Sequence, residues 1–167
     1  MPPMGADLSG LLRIEHYSRP DHRAEAAATT IMNSAFDPTF GEAWTAAQLA
    51  GFMSLPGVTL SLARLDGASL GFSLCRHILD EAELLLIATE RRWQNRGVGD
   101  ALLNDCIRFA RKSRIETLHL EVRSNNRAIE FYSRHGFEQV HRRPAYYRGS
   151  DGTYYDALSF TLALGRS

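Results

Sequence analysis

The stretch ELLLIATERRWQNRGVGD, residues 83–100, decides the fold. An apolar β-rich run, residues 83–89, leads through a polar loop into Gln94, Gly97 and Gly99, and a helical pattern follows at once. Strand, glycine pair and helix in that order place bare backbone N–H groups at a helix N-terminus, where an anion docks. The residues from Gln94 through Asn95, Arg96, Gly97, Val98 and Gly99 to Asp100 are therefore read as a binding loop for a phosphorylated ligand. Glycine at 97 and 99 lets the backbone approach a pyrophosphate without a Cβ in the way.

Around this stretch the pattern is mixed α/β. Residues 1–10 read as a flexible tail, and residues 11–167 as a single domain. Residues 11–17 alternate as a strand, and Asp21 opens an alanine-rich helix to about Ala35. Thr45 is placed to cap a short helix that Pro56 and Gly57 stop. Two β-rich runs, 58–65 and 68–79, flank Asp66-Gly67, a two-residue hairpin signal. After Gly97, apolar residues Leu102, Leu103, Cys106, Ile107 and Ala110 recur at helical spacing. Residues 117–122 are a short strand, 125–135 an amphipathic helix ended by Gly136, and 137–141 with 154–164 a last hairpin with a long tip.

Composition narrows the function classes. The chain has 167 residues, 19 basic against 19 acidic, so no global field favours nucleic acid or a membrane surface. No apolar run approaches the ~20 residues of a bilayer span. The first residues lack the charged and apolar regions of a secretory signal, and a cytoplasmic protein is expected. Cys75 and Cys106 have no metal-ligand spacing, nor do the six histidines, so no metal is expected.

Two motifs carry a family resemblance. Residues 94–99, QNRGVG, match Gln/Arg-x-x-Gly-x-Gly/Ala, and residues 125–137, with Asn125, Ala128, Tyr132, Gly136 and Phe137 at the key places, match Asn-x-x-Ala-x-x-x-Tyr-x-x-x-Gly-Phe. Their pairing resembles the GNAT superfamily of N-acetyltransferases over about residues 11–164. Asp80-Glu81-Ala82, Leu120-Glu121-Val122-Arg123, and the run from Arg142-Arg143 through Tyr146-Tyr147 to Asp156-Ala157 resemble the ribosomal-protein alanine N-alpha-acetyltransferases, the RimI type, within it.

The resemblance implies a mixed α/β acyl-CoA N-acyltransferase fold: antiparallel N-terminal strands, a central β-α-β unit for acetyl-CoA, and a C-terminal hairpin. It implies acetyl-CoA as the acetyl donor, with Ile87, Ala88 and Thr89 pairing their backbone with the pantetheine arm and Asn125 hydrogen-bonding it. One N–H of the strand is placed to polarise the thioester carbonyl. Glu121 is the candidate base and Tyr132 the candidate acid; Glu83 is a rival base. Tyr146 and Tyr147 are candidates to line a peptide groove. The plainer readings are a core aromatic for Tyr132, a strand-end charge paired with Arg123 or Arg127 for Glu121, and hairpin packing for the tyrosine pair. Asp100 departs from the family pattern and is expected to point away from a phosphate. Among Arg91, Arg92, Arg96, Arg127 and Arg134, one is expected to meet the 3′-phosphate of CoA. The acceptor implied is a protein N-terminal amine, of the ribosomal-protein type; the alternative is a small-molecule amine or a lysine. A monomer or weak dimer is expected.

Other classes fit less well. A dinucleotide oxidoreductase would explain Glu121, 22 residues after Gly99, as a ribose ligand. Yet Leu102 stands where a third glycine belongs, and seven residues separate strand from glycine where a tight turn is needed. A non-catalytic acyl-CoA-binding module would have no need of Tyr132.

Overall fold

The computed structural model describes residues 2–165. The chain end at 166–167 and Met1, which the expected domain and tail include, lie outside the described residues. Seven strands form one sheet: β1 (Arg13–Tyr17), β2 (Val58–Leu65), β3 (Ala68–Ile78), β4 (Glu81–Thr89), β5 (Thr117–Arg123), β6 (Glu138–Arg148) and β7 (Tyr154–Ala163). Their order is β1-β2-β3-β4-β5-β7-β6, with β4 and β5 the parallel pair and every other pair antiparallel. The helices are α1 (His22–Ala35), α2 (Ala46–Met53), α3 (Val98–Lys112) and α4 (Ala128–Arg134). Among the described residues no helix is long and apolar enough to cross a membrane.

Local chemistry explains most boundaries. The Asp21 carboxylate accepts from the Ala24 N–H and caps α1. Thr45 and Gln48 form a reciprocal capping box at α2. Asp66 (φ 49°) and Gly67 (φ 81°) both take the left-handed conformation that a two-residue hairpin needs.

One extra residue shapes the ligand side of the sheet. The β3–β4 register runs Leu74↔Leu86 and then Cys75↔Leu84, so Leu85 is bulged out of β4. A one-residue insertion flips the side-chain alternation. Ala82 and Leu84 accordingly pack with α3 residues Leu103, Cys106 and Ile107, whereas Leu86 and Ala88 pack with α1 residues Ala28, Ile31 and Met32. Beyond Glu83↔His119 no pairing joins β4 to β5. The parallel strands part there, leaving the edge at Ile87–Thr89 without a strand partner on that side.

Three sequence expectations change. The helix expected from Asn125 starts at Ala128, because Asn126 folds a turn onto Arg123 and its side chain accepts from the Ala128 N–H. The last hairpin has a short tip: β6 continues to Arg148 despite Pro144. A register break between Arg143 and Tyr147, with Ala145 at φ 50°, absorbs the proline on this outer strand. Residues 3–9 are not loose, since Leu8 is fully buried with Ala63, Leu70, Trp93, Val98 and Leu102.

Candidate acetyl-CoA site and the carboxylate–tyrosine cluster beside it

A cleft of about 1360 Å³ opens where β4 and β5 separate. Ile87, Ala88 and Thr89 form one wall; Gln94, Asn95, Arg96, Gly97, Gly99 and Asp100 form the end at the start of α3; Asn125 and Tyr132 close the opposite side. The two sequence motifs, about thirty residues apart in the chain, thus face one space. Val98 departs from this grouping: its side chain is buried in the core against Leu102, and only its backbone belongs to the loop.

Backbone geometry at the loop suits an anion. Asn95 (φ 58°) and Gly97 (φ 81°) are left-handed, and Gly97 caps α3 with no side-chain hydrogen bond. Among the described residues the N–H groups from Arg96 to Asp100 have no hydrogen-bond acceptor. They are the free donors of a helix N-terminus, reinforced by its dipole. The Gln94 side chain donates to the Thr89 carbonyl at 3.2 Å and ties the loop to β4. At Gly99 an added Cβ would meet the Phe131 ring in ordinary van der Waals contact at 3.5 Å, without a clash. Asp100 lines the cleft, but its carboxylate is 3.2 Å from Nε2 of His135, the residue following α4.

The arginines divide. Arg96, Arg127 and Arg134 line the cleft. Arg92 pairs with Glu90, and the Arg96 guanidinium donates to the Pro3 and Ala6 carbonyls.

Tyr132 is buried, and its hydroxyl makes no hydrogen bond among the described residues. Burial first, and the charge of Glu42 second, push its phenol well above the ordinary tyrosine range. The phenol is therefore a proton donor at every physiological pH. Glu42 lines the same cleft and pairs at 2.6 Å with the buried Arg123, whose guanidinium stacks 3.5 Å from the Phe40 ring centre and bonds Asn125. Arg123 therefore pins the α1–α2 loop to the end of β5.

Glu121, Tyr146 and Tyr147 do not line the large cleft but gather on the adjoining surface. The Glu121 carboxylate accepts from the Arg143 guanidinium and, at 3.1 Å, from the Tyr147 hydroxyl. Burial and the neighbouring Glu121 charge raise the Tyr147 phenol, and Glu42 adds to the shift. The Glu42 charge raises the Tyr132 and Tyr147 phenols alike. Tyr146 stacks under Arg143 at 3.9 Å and meets Tyr147 edge-on, holding the pair at the surface. Glu83, one register step from this cluster, has its carboxyl raised by burial and by the Glu121 charge.

Sequence reasoning gave Phe40 and Glu42 no role, and it named Arg143 within the last-hairpin run without its pairing to Glu121. Arg123 was legible only as a possible partner for Glu121, whereas it pairs with Glu42. Its place at the end of the Leu120–Arg123 run, beside the asparagine motif, was the available signal.

Comparison with known proteins agrees with this geometry. The chain is 39% identical over 95 residues to the [ribosomal protein bS18]-alanine N-acetyltransferase of Haemophilus influenzae, spanning 57% of this chain and 65% of that protein. It is 39% identical over 100 residues to the enzyme of the same name from Escherichia coli K12, spanning 59% and 67%. The crystal structure of the ribosomal-protein-S18-alanine N-acetyltransferase from Escherichia coli superposes with a TM-score of 0.80 at 28% identity, covering 93% of this chain and 96% of that one. The alignments thus span about two thirds of the curated relatives' length, and the superposition nearly all of the solved one. The sequence model of the Acetyltransferase (GNAT) family matches residues 19–137, which contain both motifs, and the chain belongs to that family.

Proposed function

We propose that this chain transfers acetyl from acetyl-CoA to the N-terminal α-amine of a protein, of the ribosomal-protein type, in the cytoplasm. The observation that carries the proposal is the opening of β4 from β5 into a cleft bounded by a free helix N-terminus at one end and Tyr132 at the other. A pyrophosphate fits the N–H groups from Arg96 to Asp100. A pantetheine arm fits the unpaired edge at Ile87–Thr89 as an added strand, with the Asn125 amide within the same lining. One edge N–H then serves the thioester carbonyl as an oxyanion donor.

The acceptor nitrogen attacks the thioester carbon, a C–N bond forms, and the C–S bond breaks. One proton must leave the amine and one must reach the departing sulfur. Tyr132 is the proposed donor to sulfur. Its raised pKa makes this transfer costly unless the departing thiolate is desolvated as well. Glu121 is the proposed base, with Tyr147 and Arg143 orienting its carboxylate. An α-amine demands little of a base: at about pH 7.2 roughly a fifth of such amines are already neutral, against under ~0.1% of lysines.

Local charge favours a peptide over a polyamine. Glu42 is matched by Arg123 and Glu121 by Arg143, so neither of these carboxylates stands free for a polycation. The Tyr146–Tyr147 pair offers rings and hydroxyls suited to the first peptide groups.

Thiol release from acetyl-CoA tests the reading, with three acceptors: short peptides with free N-termini beginning Ala, Ser, Thr or Met; N-blocked peptides bearing lysine; and spermidine. Turnover is expected only with free α-amines. Turnover with lysine or spermidine instead would overturn the acceptor assignment and leave the donor site standing.

A further inference from the structure

The N-terminal segment, expected to be a free tail, lies on the phosphate-binding loop. Its contacts are of four kinds. The Arg96 Nε and Nη2 groups donate to the Ala6 carbonyl at 3.2 Å and the Pro3 carbonyl at 2.8 Å. The Leu8 N–H donates to the Arg96 carbonyl at 2.8 Å. The Leu8 side chain is fully buried between Trp93, Val98 and Leu102, which belong to the loop and the first turns of α3. Finally, a Cβ added at Gly97 would collide with the Asp7 carboxylate and come within 3.2 Å of the Ser9 Cβ.

The polar contacts and the closest approach fall on Arg96 and Gly97, the residue before the helix cap and the cap itself. The Arg96 backbone is fixed by its carbonyl, its side chain is spread across two carbonyls, and its guanidinium lies 4.9 Å from the Trp93 ring centre. Asp7 and Gly5 themselves line the cleft. The Asp7 carboxylate is turned back onto the Ser9 N–H at 2.8 Å, which fixes the bend of the segment at its closest approach to Gly97. No side chain is needed at Gly97 for binding an anion, but the absence of one is what allows the segment to close over the loop.

We propose that residues 3–9 form a clasp that positions the Arg96–Asp100 N–H groups for the CoA phosphates, with Arg96 as the positioning residue that latches it. The proposal rests on the reading that this loop holds acetyl-CoA. In it Arg96 serves as the latch rather than as a phosphate ligand, its Nε and Nη2 groups donating to the clasp. Its contribution to affinity then comes from geometry rather than charge, because an N–H cradle displaced by even a small amount loses several charge-assisted bonds together.

Titration calorimetry with coenzyme A on the full chain, on a deletion of residues 2–6, on Arg96→Gln and on Arg96→Lys tests this. The deletion removes both carbonyls that Arg96 uses and leaves the buried Leu8 in place, so the fold is retained; far-UV circular dichroism checks that. The deletion and Arg96→Gln are each expected to weaken coenzyme A binding by about tenfold, and combining them is expected to add little. Arg96→Lys, which keeps the charge but cannot span two carbonyls, is expected to behave like Arg96→Gln. In turnover, the KM for acetyl-CoA rises with these losses while kcat at saturation and the acceptor KM stay within about twofold. Unchanged binding on deletion, or wild-type binding by Arg96→Lys beside a weak Arg96→Gln, would overturn the clasp and make Arg96 a direct phosphate contact. Failure of the full chain itself to bind coenzyme A is a different result, and removes the donor reading on which the clasp rests.

Discussion

The Arg143 guanidinium on β6 reaches the Glu121 carboxylate on β5 across β7, where the small residues Ser159 and Ala157 stand between the two strands in register. Tyr147 takes the other carboxylate oxygen at 3.1 Å. If Arg143 serves the reaction by orienting Glu121, its loss matters only while Glu121 is there to orient. Arg143→Ala should lower kcat/KM for a peptide acceptor by about three- to tenfold in the wild type, and by much less in a Glu121→Gln background. A double-mutant cycle in turnover reads this. Additive losses would place Arg143 on the acceptor directly.

Tyr132 has no hydrogen-bond partner among the described residues and faces the cleft from a buried position. Tyr132→Phe keeps the ring packed against Phe131 and Phe137 and removes only the hydroxyl. The expected outcome is a fall in kcat on the order of a hundredfold, with coenzyme A affinity unchanged. A loss confined to KM for acetyl-CoA would make the tyrosine a binding group.

Glu121 and Glu83 are separated by opposite expectations. Glu121→Gln should lower turnover most below about pH 7.5, where an α-amine is mostly charged and a base is needed. Glu83→Gln should leave turnover nearly intact and raise the melting temperature near neutral pH. The sign follows from the raised folded-state pKa, caused first by burial and then by the Glu121 charge. Below the unfolded-state value both states are protonated and the substitution changes nothing. As pH rises through the folded value, the native state carries an unfavourable charge that glutamine removes. Melting curves from pH 4 to 8 and a pH–rate profile test the two halves. A larger turnover loss in Glu83→Gln would reverse the base assignment.

Legibility in the sequence followed the range of the interactions. Caps, the Asp66-Gly67 hairpin and the helix start after Gly97 are set by residues within a few positions, and the structure has them where the sequence places them. The bulge at Leu85 was not, because an all-apolar run, Leu84–Ala88, carries no alternation to reveal the flip. Leu8 escaped for a different reason. One leucine among Pro, Gly and Ser has no periodic signal, and its burial depends on Trp93 and Leu102, more than eighty residues away. Arg143 and Glu42 likewise act through partners on other strands, Glu121 and Arg123. The strand expected over 137–141 runs on to Arg148, since a bulge on the outer strand tolerates Pro144.

The cysteines also met only in the fold. Cys75 on β3 and Cys106 on α3 have their sulfurs 2.8 Å apart, both as free thiols. The hydrogen bond with Cys106, then burial, push the Cys75 thiol well above its ordinary value. A thiol that stays protonated reacts poorly. Iodoacetamide at pH 8 should therefore leave Cys75 unmodified in the native protein and label it fully in denaturant, as read by intact-mass and peptide spectra. Rapid native labelling would show that this part of the core opens readily.

Arg123 ties three elements together, and its loss should be felt in both stability and acceptor use. The guanidinium is buried at the end of β5, pairs with Glu42 at 2.6 Å, stacks on Phe40 and bonds Asn125. Breaking a buried ion pair by removing one partner strands the other, here a half-buried carboxylate that water partly reaches. Arg123→Ala is therefore expected to cost roughly 3 kcal/mol in urea unfolding, the low end for a buried pair. Arg123→Lys keeps the charge for Glu42 but loses the planar stack on Phe40, and should fall between. Because Phe40 and Glu42 belong to the α1–α2 loop beside the cleft, the acceptor KM should rise in the same order as stability falls. An unchanged acceptor KM in a destabilised Arg123→Lys variant would show that the loop does not shape the acceptor site.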